Sequence, residues 1–230
     1  MLPTNQLRGS LLPLLALVLL VTQAQAQRPV RILYFDAPTG APSSAHLYAG
    51  SRLVSETELP RHNFTETIEV PGGNLTLSFL PGVLEEGDDV PASAPKVSVP
   101  EGWDKALLLV FEDEKNPVLP IRIKAIDASD DVFGPGSVYF VNFSGIRVGG
   151  NVGDKRLDLK PMSFEIIKNP VRENGYYPTR LFSINQEGER PRRFVKQMWE
   201  HNGSDRQLLF IIPKPAPVFA SYYCAPIRDF

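Results

Sequence analysis

Residues 107–123, LLLVFEDEKNPVLPIRI, read as an apolar strand, a charged turn and a second strand. About 100 residues later, residues 208–223, LLFIIPKPAPVFASYY, repeat that layout. A chain that spells one hairpin twice, a domain's length apart, points to two copies of one β-unit.

Working outward from this pair, other matches keep the same order. VYFVNFSG (138–145) takes the place of LYFDAPTG (33–40), and RVGGN (147–151) that of LYAGS (47–51). SFEIIKN (163–169) stands for the strand around residues 64–70, and NGYYPTRLFS (174–183) for GGNLTLSFL (72–80). Gly203 lies near the place of Gly102, and Pro217-Val218 follow Pro117-Val118. The offset drifts only between about 100 and 105. Colinear order implies duplication, with residues 27–130 as the first repeat and 131–230 as the second, divided near DASDDVFGPG (127–136), where charge, Gly and Pro end the first unit.

Strand signals are short and closely spaced. Val30 to Phe35 form an apolar run that stops at Ala37-Pro38-Thr39-Gly40. Ile68 and Val70 alternate with Glu69, and Leu75, Leu77 and Phe79 alternate with Thr76 and Ser78, on either side of Pro71-Gly72-Gly73. Further strands are expected at 46–49, 96–99, 106–111 and 120–126. Six or seven strands in about 100 residues, joined by turns, is the rhythm of an all-β immunoglobulin-like sandwich, so two in tandem are expected. With 22 Pro and 17 Gly, no segment holds a helical apolar stripe for three turns; RRFVKQMWE (192–200) is the best candidate and reads equally well as a strand.

Residues 1–26 have the parts of a secretory signal: a polar start with Arg8, an apolar run from Leu11 to Val21 and Ala24-Gln25-Ala26 as a small-x-small cleavage site. The run contains Pro13 and falls short of the roughly 20 residues a spanning helix needs. Export is expected, to the periplasm or beyond the cell, and an integral membrane protein is not. Cys224 is the sole cysteine, so an intramolecular disulfide is excluded and packing must hold the fold together.

VRILYFDAPTGAP leading to LYAG, followed by VPGGNLTLSF, resembles a bacterial secreted family of tandem immunoglobulin-like domains of unknown function. That family opens on R-V-x-H-A-S-P-D-A-P and V-Y-V-D-G; the second copy, VYFVNFSG, resembles a variant of this start. The family's His falls at Tyr34 or Phe35, and its acidic residue is missing around Ala45. The resemblance implies a fold and an exported location, with no activity attached.

Charge divides unevenly. Residues 27–130 carry 9 Lys+Arg against 16 Asp+Glu, whereas residues 131–230 carry 14 against 10. An acidic first repeat and a basic second one would steer towards each other or face different partners.

Chemistry is hard to find. His46, His62 and His201 are far apart and form no H-x-H or H-E-x-x-H pair; G-x-S-x-G, P-loop and C-x-x-C patterns are all missing. Hence no catalytic residue, no metal ligand and no cofactor is assigned. EEGDD (85–89) and DASDD (127–131) lack the spacing of a calcium loop, and HNGSD (201–205) reads as a tight hairpin turn. The basic stretch ERPRRFVK (189–196) in an exported chain does not predict nucleic-acid binding. Exposed rings are the remaining candidates. Trp103, in a turn between Gly102 and Asp104, and the pair Tyr176 and Tyr177 are the candidate ligand-binding residues, with one tyrosine expected to point into the core.

The expectation is an exported, non-enzymatic structural or protein-interaction module whose partner is an envelope or extracellular protein. The alternative is a carbohydrate- or envelope-polymer-binding protein working through Trp103 and the tyrosines.

Overall fold

The computed structural model describes residues 27–184, 190–214 and 222–229; the expected signal segment, Glu189 of the basic stretch and Pro217-Val218 lie outside them. The protein is all-β, with sixteen strands in four four-stranded sheets among the described residues. Strands are numbered along the chain. Sheet I orders β3 (Arg52–Glu58), β2 (Ser44–Ala49), β5 (Leu75–Leu80) and β6 (Lys96–Val99). Sheet II orders β4 (Ile68–Pro71), β1 (Gln27–Tyr34), β7 (Ala106–Glu112) and β8 (Ile121–Asp127). After the short helix α1 (Asp130–Phe133), sheet III orders β12 (Phe164–Lys168), β9 (Ser137–Asn142), β15 (Arg206–Pro213) and β16 (Tyr222–Asp229). Sheet IV orders β11 (Lys155–Leu159), β10 (Arg147–Val152), β13 (Gly175–Ile184) and β14 (Arg192–His201).

The two halves share one plan. β1 runs parallel to β7 and antiparallel to β4, and β7 pairs antiparallel with β8; β9, β15, β12 and β16 repeat each relation. The hairpin spelled twice is therefore β7–β8 and β15–β16. Register corrects one detail of the sequence match. Val30 lies beside Ala106, and Val138 beside Gln207, so Val30 corresponds to Val138 and Phe35 to Phe143. That offset is 108, outside the expected range, because the β1–β2 connection is longer than the β9–β10 connection. A second correction concerns Asn202-Gly203. The turn joins β14 of sheet IV to β15 of sheet III, so it is an arch between sheets and not a hairpin. RRFVKQMWE is strand, within β14.

Among the described residues three large apolar cores form, beside a small cluster of Tyr48, Leu80 and Ala94. The first lies between sheets I and II and includes Ile32, Leu47, Phe79, Leu108 and Val110; the third lies between sheets III and IV, with Phe140, Val148, Leu181, Leu209 and Ile211. The second joins the halves: Leu33, Phe35, Leu107, Leu109 and Phe111 from sheet II meet Tyr139, Val141, Leu208 and Phe210 from sheet III. The sheets thus stack in the order I, II, III, IV. Around the seam, Phe35 stacks on its counterpart Phe143 at 5.8 Å between centroids and meets Phe210 at 4.0 Å. Apolar rings, and not the charge difference between the halves, fill this contact.

Strand composition follows from the stack. β7 is buried at every position but its last and β9 throughout, because both faces of sheets II and III are covered; these strands read as continuous apolar runs. β13 instead alternates, with Tyr177, Thr179, Leu181 and Ser183 buried and exposed or half-exposed residues between them, because the outer face of sheet IV meets water. Where the seam ends, Arg122 lies 4.6 Å from the Phe111 ring centroid and Lys124 lies 5.1 Å from that of Phe164. Their cationic heads stay at the rim over the rings. The connection is tied in as well: Arg206 donates to the carbonyls of Ala128 and Phe133 at 2.6 and 3.0 Å, and Phe133 is fully buried.

Candidate binding groove in the second half

Tyr177 pairs with Trp199 across β13 and β14, which places both side chains on the inner face of sheet IV; the next pair, Tyr176 and Glu200, falls on the outer face. Adjacent tyrosines therefore have opposite fates. Tyr177 is buried in the third core, where burial pushes its phenol up to about 12, while Tyr176 is 74% exposed. Trp199 is half-buried at the open side of the sheet pair. Its indole stacks on Phe140 at 6.3 Å, stands edge-on to Tyr177 at 6.4 Å, and donates from Nε1 to Oε1 of Gln197 at 3.0 Å.

Opposite it, on sheet III, Leu209 pairs with Pro226 and Ile211 with Cys224. Between these two edges, β14 and β16, opens a groove of about 300 Å³ lined by Tyr176, Gln197, Trp199, Gln207, Leu209 and Cys224. Met198, 58% exposed, Glu200 and Pro226 also contribute to its lining. Burial pushes the Cys224 thiol up to about 12, so at neutral pH the groove presents it as a neutral, weakly reactive group.

Val97, Ile123 and Ala125 pack against the first core together with Trp103. Counting back from the matched strands β7 and β15 puts Ser204 where Trp103 stands, in a turn one residue shorter. Trp103 is therefore not the exposed platform expected from its turn: it is half-buried against apolar side chains. The sequence concealed this because Gly and Asp neighbours mark a turn, and nothing in a turn's composition says which way its large side chain points. Of the three expected ligand-binding residues, Tyr177 has no surface to offer, Trp103 lies in the other half, and Tyr176 alone reaches the groove. Trp199, Gln197 and Gln207 were not singled out. Once 192–200 is known to be strand, the alternation Val195, Gln197, Trp199 aligns their side chains on one face.

Several of the other polar candidates are tied into local structure. Ser204 donates its hydroxyl to Asn202 Oδ1 at 2.8 Å, so the residues of HNGSD shape their own turn. His201 is buried beside Tyr177, and burial lowers its pKa; His62 is exposed in a loop and His46 sits in β2. Lys105 holds Asp130 at 2.8 Å, and Asp127 caps the amide of Ser129 at 3.0 Å. Among the described residues no group of three or more His, Cys, Asp or Glu converges as metal ligands. Likewise, among these residues no helix is long and apolar enough to cross a membrane. Neither the known protein families nor the curated proteins include a match to this chain.

Proposed function

We propose that the chain is an exported, non-enzymatic interaction module of two tandem immunoglobulin-like sandwiches, residues 27–130 and 131–230, placed by a cleaved signal in the periplasm or outside a bacterial cell. It recruits an envelope or extracellular protein by adding that protein's strand to one of its open edges. The observation that carries this reading is β14, a ten-residue strand at the edge of sheet IV, with Arg192, Arg193, Lys196, Gln197, Met198 and Glu200 exposed along it. Arg and Lys guard its first half against indiscriminate pairing, and the second half, from Gln197 on, is the less protected template.

The test is capture of proteins from detergent-solubilised envelope of the source organism by wild type, Gln197→Pro and Met198→Pro. Successive amides of a strand point alternately to its two neighbours, so one of the two prolines removes an outward N–H while the other breaks pairing with β13. Loss of a specific partner in a variant that keeps the wild-type circular dichroism supports edge addition; retention by both refutes it. A second reading, binding of carbohydrate or envelope polymer, is favoured by the exposure of Tyr176 beside the groove. Co-sedimentation with insoluble envelope polysaccharide that Tyr176→Ala abolishes would establish it over the first.

A further inference from the structure

We infer that β14 pairs with the β14 of a second copy of this chain, antiparallel about a two-fold axis at Gln197, so that two copies of sheet IV join into one continuous sheet. The inference rests on the edge-addition reading and names a strand that fits the edge.

Residues directly opposite each other in an antiparallel pair lie on one face, so a strand can pair with its own copy only where residues of like face meet. Among the described residues no strand lies beyond β14, and its ladder with β13 assigns its faces. Val195, Gln197 and Trp199 pair with Leu181, Thr179 and Tyr177 and share the inner face. Lys196, Met198 and Glu200 share the outer one. The ladder then shifts: Val195 pairs with Leu181 and Arg193 with Phe182, so Phe194 is skipped and Arg193 falls on the outer face with Glu200.

That shift makes the strand self-complementary. With the axis at Gln197, Val195 meets the Trp199 of the other copy on the inner face, and Lys196 meets Met198 on the outer face. Skipping Phe194 brings Arg193 opposite Glu200 and Arg192 opposite His201. By symmetry each pairing occurs twice, which gives two apolar pairs and two pairs of opposite charge. Neighbouring registers fit less well. An axis at Lys196 sets its ammonium against its own copy, and an axis at Met198 joins Lys196 to Glu200 but pairs only residues 195–201, with nothing opposite Arg192 and Arg193. The Gln197 register uses every residue of β14 except the skipped one. Arg193, Lys196, Gln197, Met198 and Glu200 are exposed, so the outer-face contacts are made by side chains already at the surface. The positive charges that repel an arbitrary strand thus select one in which Arg193 meets a carboxylate.

The experiment is sedimentation velocity of the purified, export-processed protein over a range of concentrations, and a monomer–dimer equilibrium is expected. Arg193→Glu and Glu200→Arg each set like charges opposite one another twice per dimer, and each should weaken dimerisation at least about tenfold. The double variant restores opposite charges and should dimerise within about threefold of wild type. Both side chains are exposed, so the variants should keep the wild-type circular dichroism. Gln197→Cys sets two thiols across the axis, where Cα atoms about 4.5–5.5 Å apart are within reach of a disulfide, and should yield a covalent dimer on mild oxidation. Wild type, whose sole cysteine is Cys224, should not. Amides in β14 from Gln197 on, fast to exchange in dilute protein, should slow as the dimer forms. Protein that stays monomeric at every concentration, a dimer that neither single variant weakens, one that the double variant fails to restore, or Gln197→Cys that does not cross-link overturns the proposal. If it is overturned while a β14 proline still abolishes capture of an envelope protein, self-pairing fails and edge addition stands. If the charge exchange behaves as expected and the prolines change no capture, self-pairing stands and recruitment of an envelope protein through this edge fails.

Discussion

Phe210 sits at the centre of the seam between the halves, and truncating it to alanine measures what that seam contributes. Its side chain is fully buried, 4.0 Å from Phe35 and 5.8 Å from Phe143 between ring centroids. Removing a buried phenylalanine ring costs about 3–5 kcal/mol, of which aromatic pairing supplies roughly 0.5–1.5 kcal/mol for each pair broken. For a chain of this size each kcal/mol lowers Tm by roughly 2–4 °C, so Phe210→Ala should melt about 6–20 °C below wild type. Urea unfolding followed by far-UV circular dichroism and by tryptophan fluorescence is the assay. Trp103 reports on the first core and Trp199 on the third, so a coupled pair of halves gives coincident transitions. A surface substitution stays within about 0.5 kcal/mol. A loss below about 1 kcal/mol for Phe210→Ala would therefore show that the outer faces of sheets II and III are not held together, and the reasoning from the seam would be wrong.

Cys224 should resist alkylation: with its thiol raised from 9.0 to about 12, the thiolate fraction at pH 8 falls on the order of a thousandfold, and iodoacetamide labelling should accelerate sharply in urea. Labelling of the native protein at the rate of a free thiol would contradict the burial. The same shifts in Cys224 and Tyr177 set an alkaline limit. Each folded-state pKa lies above its unfolded value, so the stabilisation is complete below about pH 9 and is lost as pH rises towards about 12; urea midpoints across that window should decline. His201 acts at the other end. Its folded pKa is depressed by burial, so stability is retained above about pH 6.5 and lost as the pH falls below it, and His201→Asn should flatten that decline. Gly150→Ala should cost more than about 2 kcal/mol, because φ is 158° and an added Cβ would stand 2.0 Å from the Arg180 carbonyl oxygen on β13; a wild-type melting temperature would refute that close approach.

Much of this architecture is legible in the chain, and the misses have physical causes. Alternation in Leu75, Leu77 and Phe79 and the twice-spelled hairpin locate strands because each reflects a backbone period of two. β3 escaped notice because Arg52–Glu58 is polar and largely exposed, an edge strand held by pairing with β2 more than by burial. The seam was written in plain letters as well: LLLVF in β7 and LLFII in β15 are too continuously apolar for sheets with one wet face, and their counterparts β1 and β9 say the same. Charge suggested a reason for the halves to meet, but the rings between them decide the contact. The groove was least legible, since its lining comes from β13, β14, β15 and β16, which lie in two different sheets and are far apart in the chain. That Trp103 turns in against the first core could not be read from Gly-Trp-Asp alone.

The central claim is that two repeats joined through an apolar seam behave as one body, leaving the edges of the second repeat free to bind. Native-state amide hydrogen exchange tests it most directly. Slowest amides in β1 and β7 should share one exchange free energy with those in β9 and β15, and that value should equal the global unfolding free energy. The outer half of β14 should exchange fastest among the long strands. Exchange of β9 and β15 through an opening that leaves β1 and β7 protected would contradict the account, because it would mean two independent domains resting against each other.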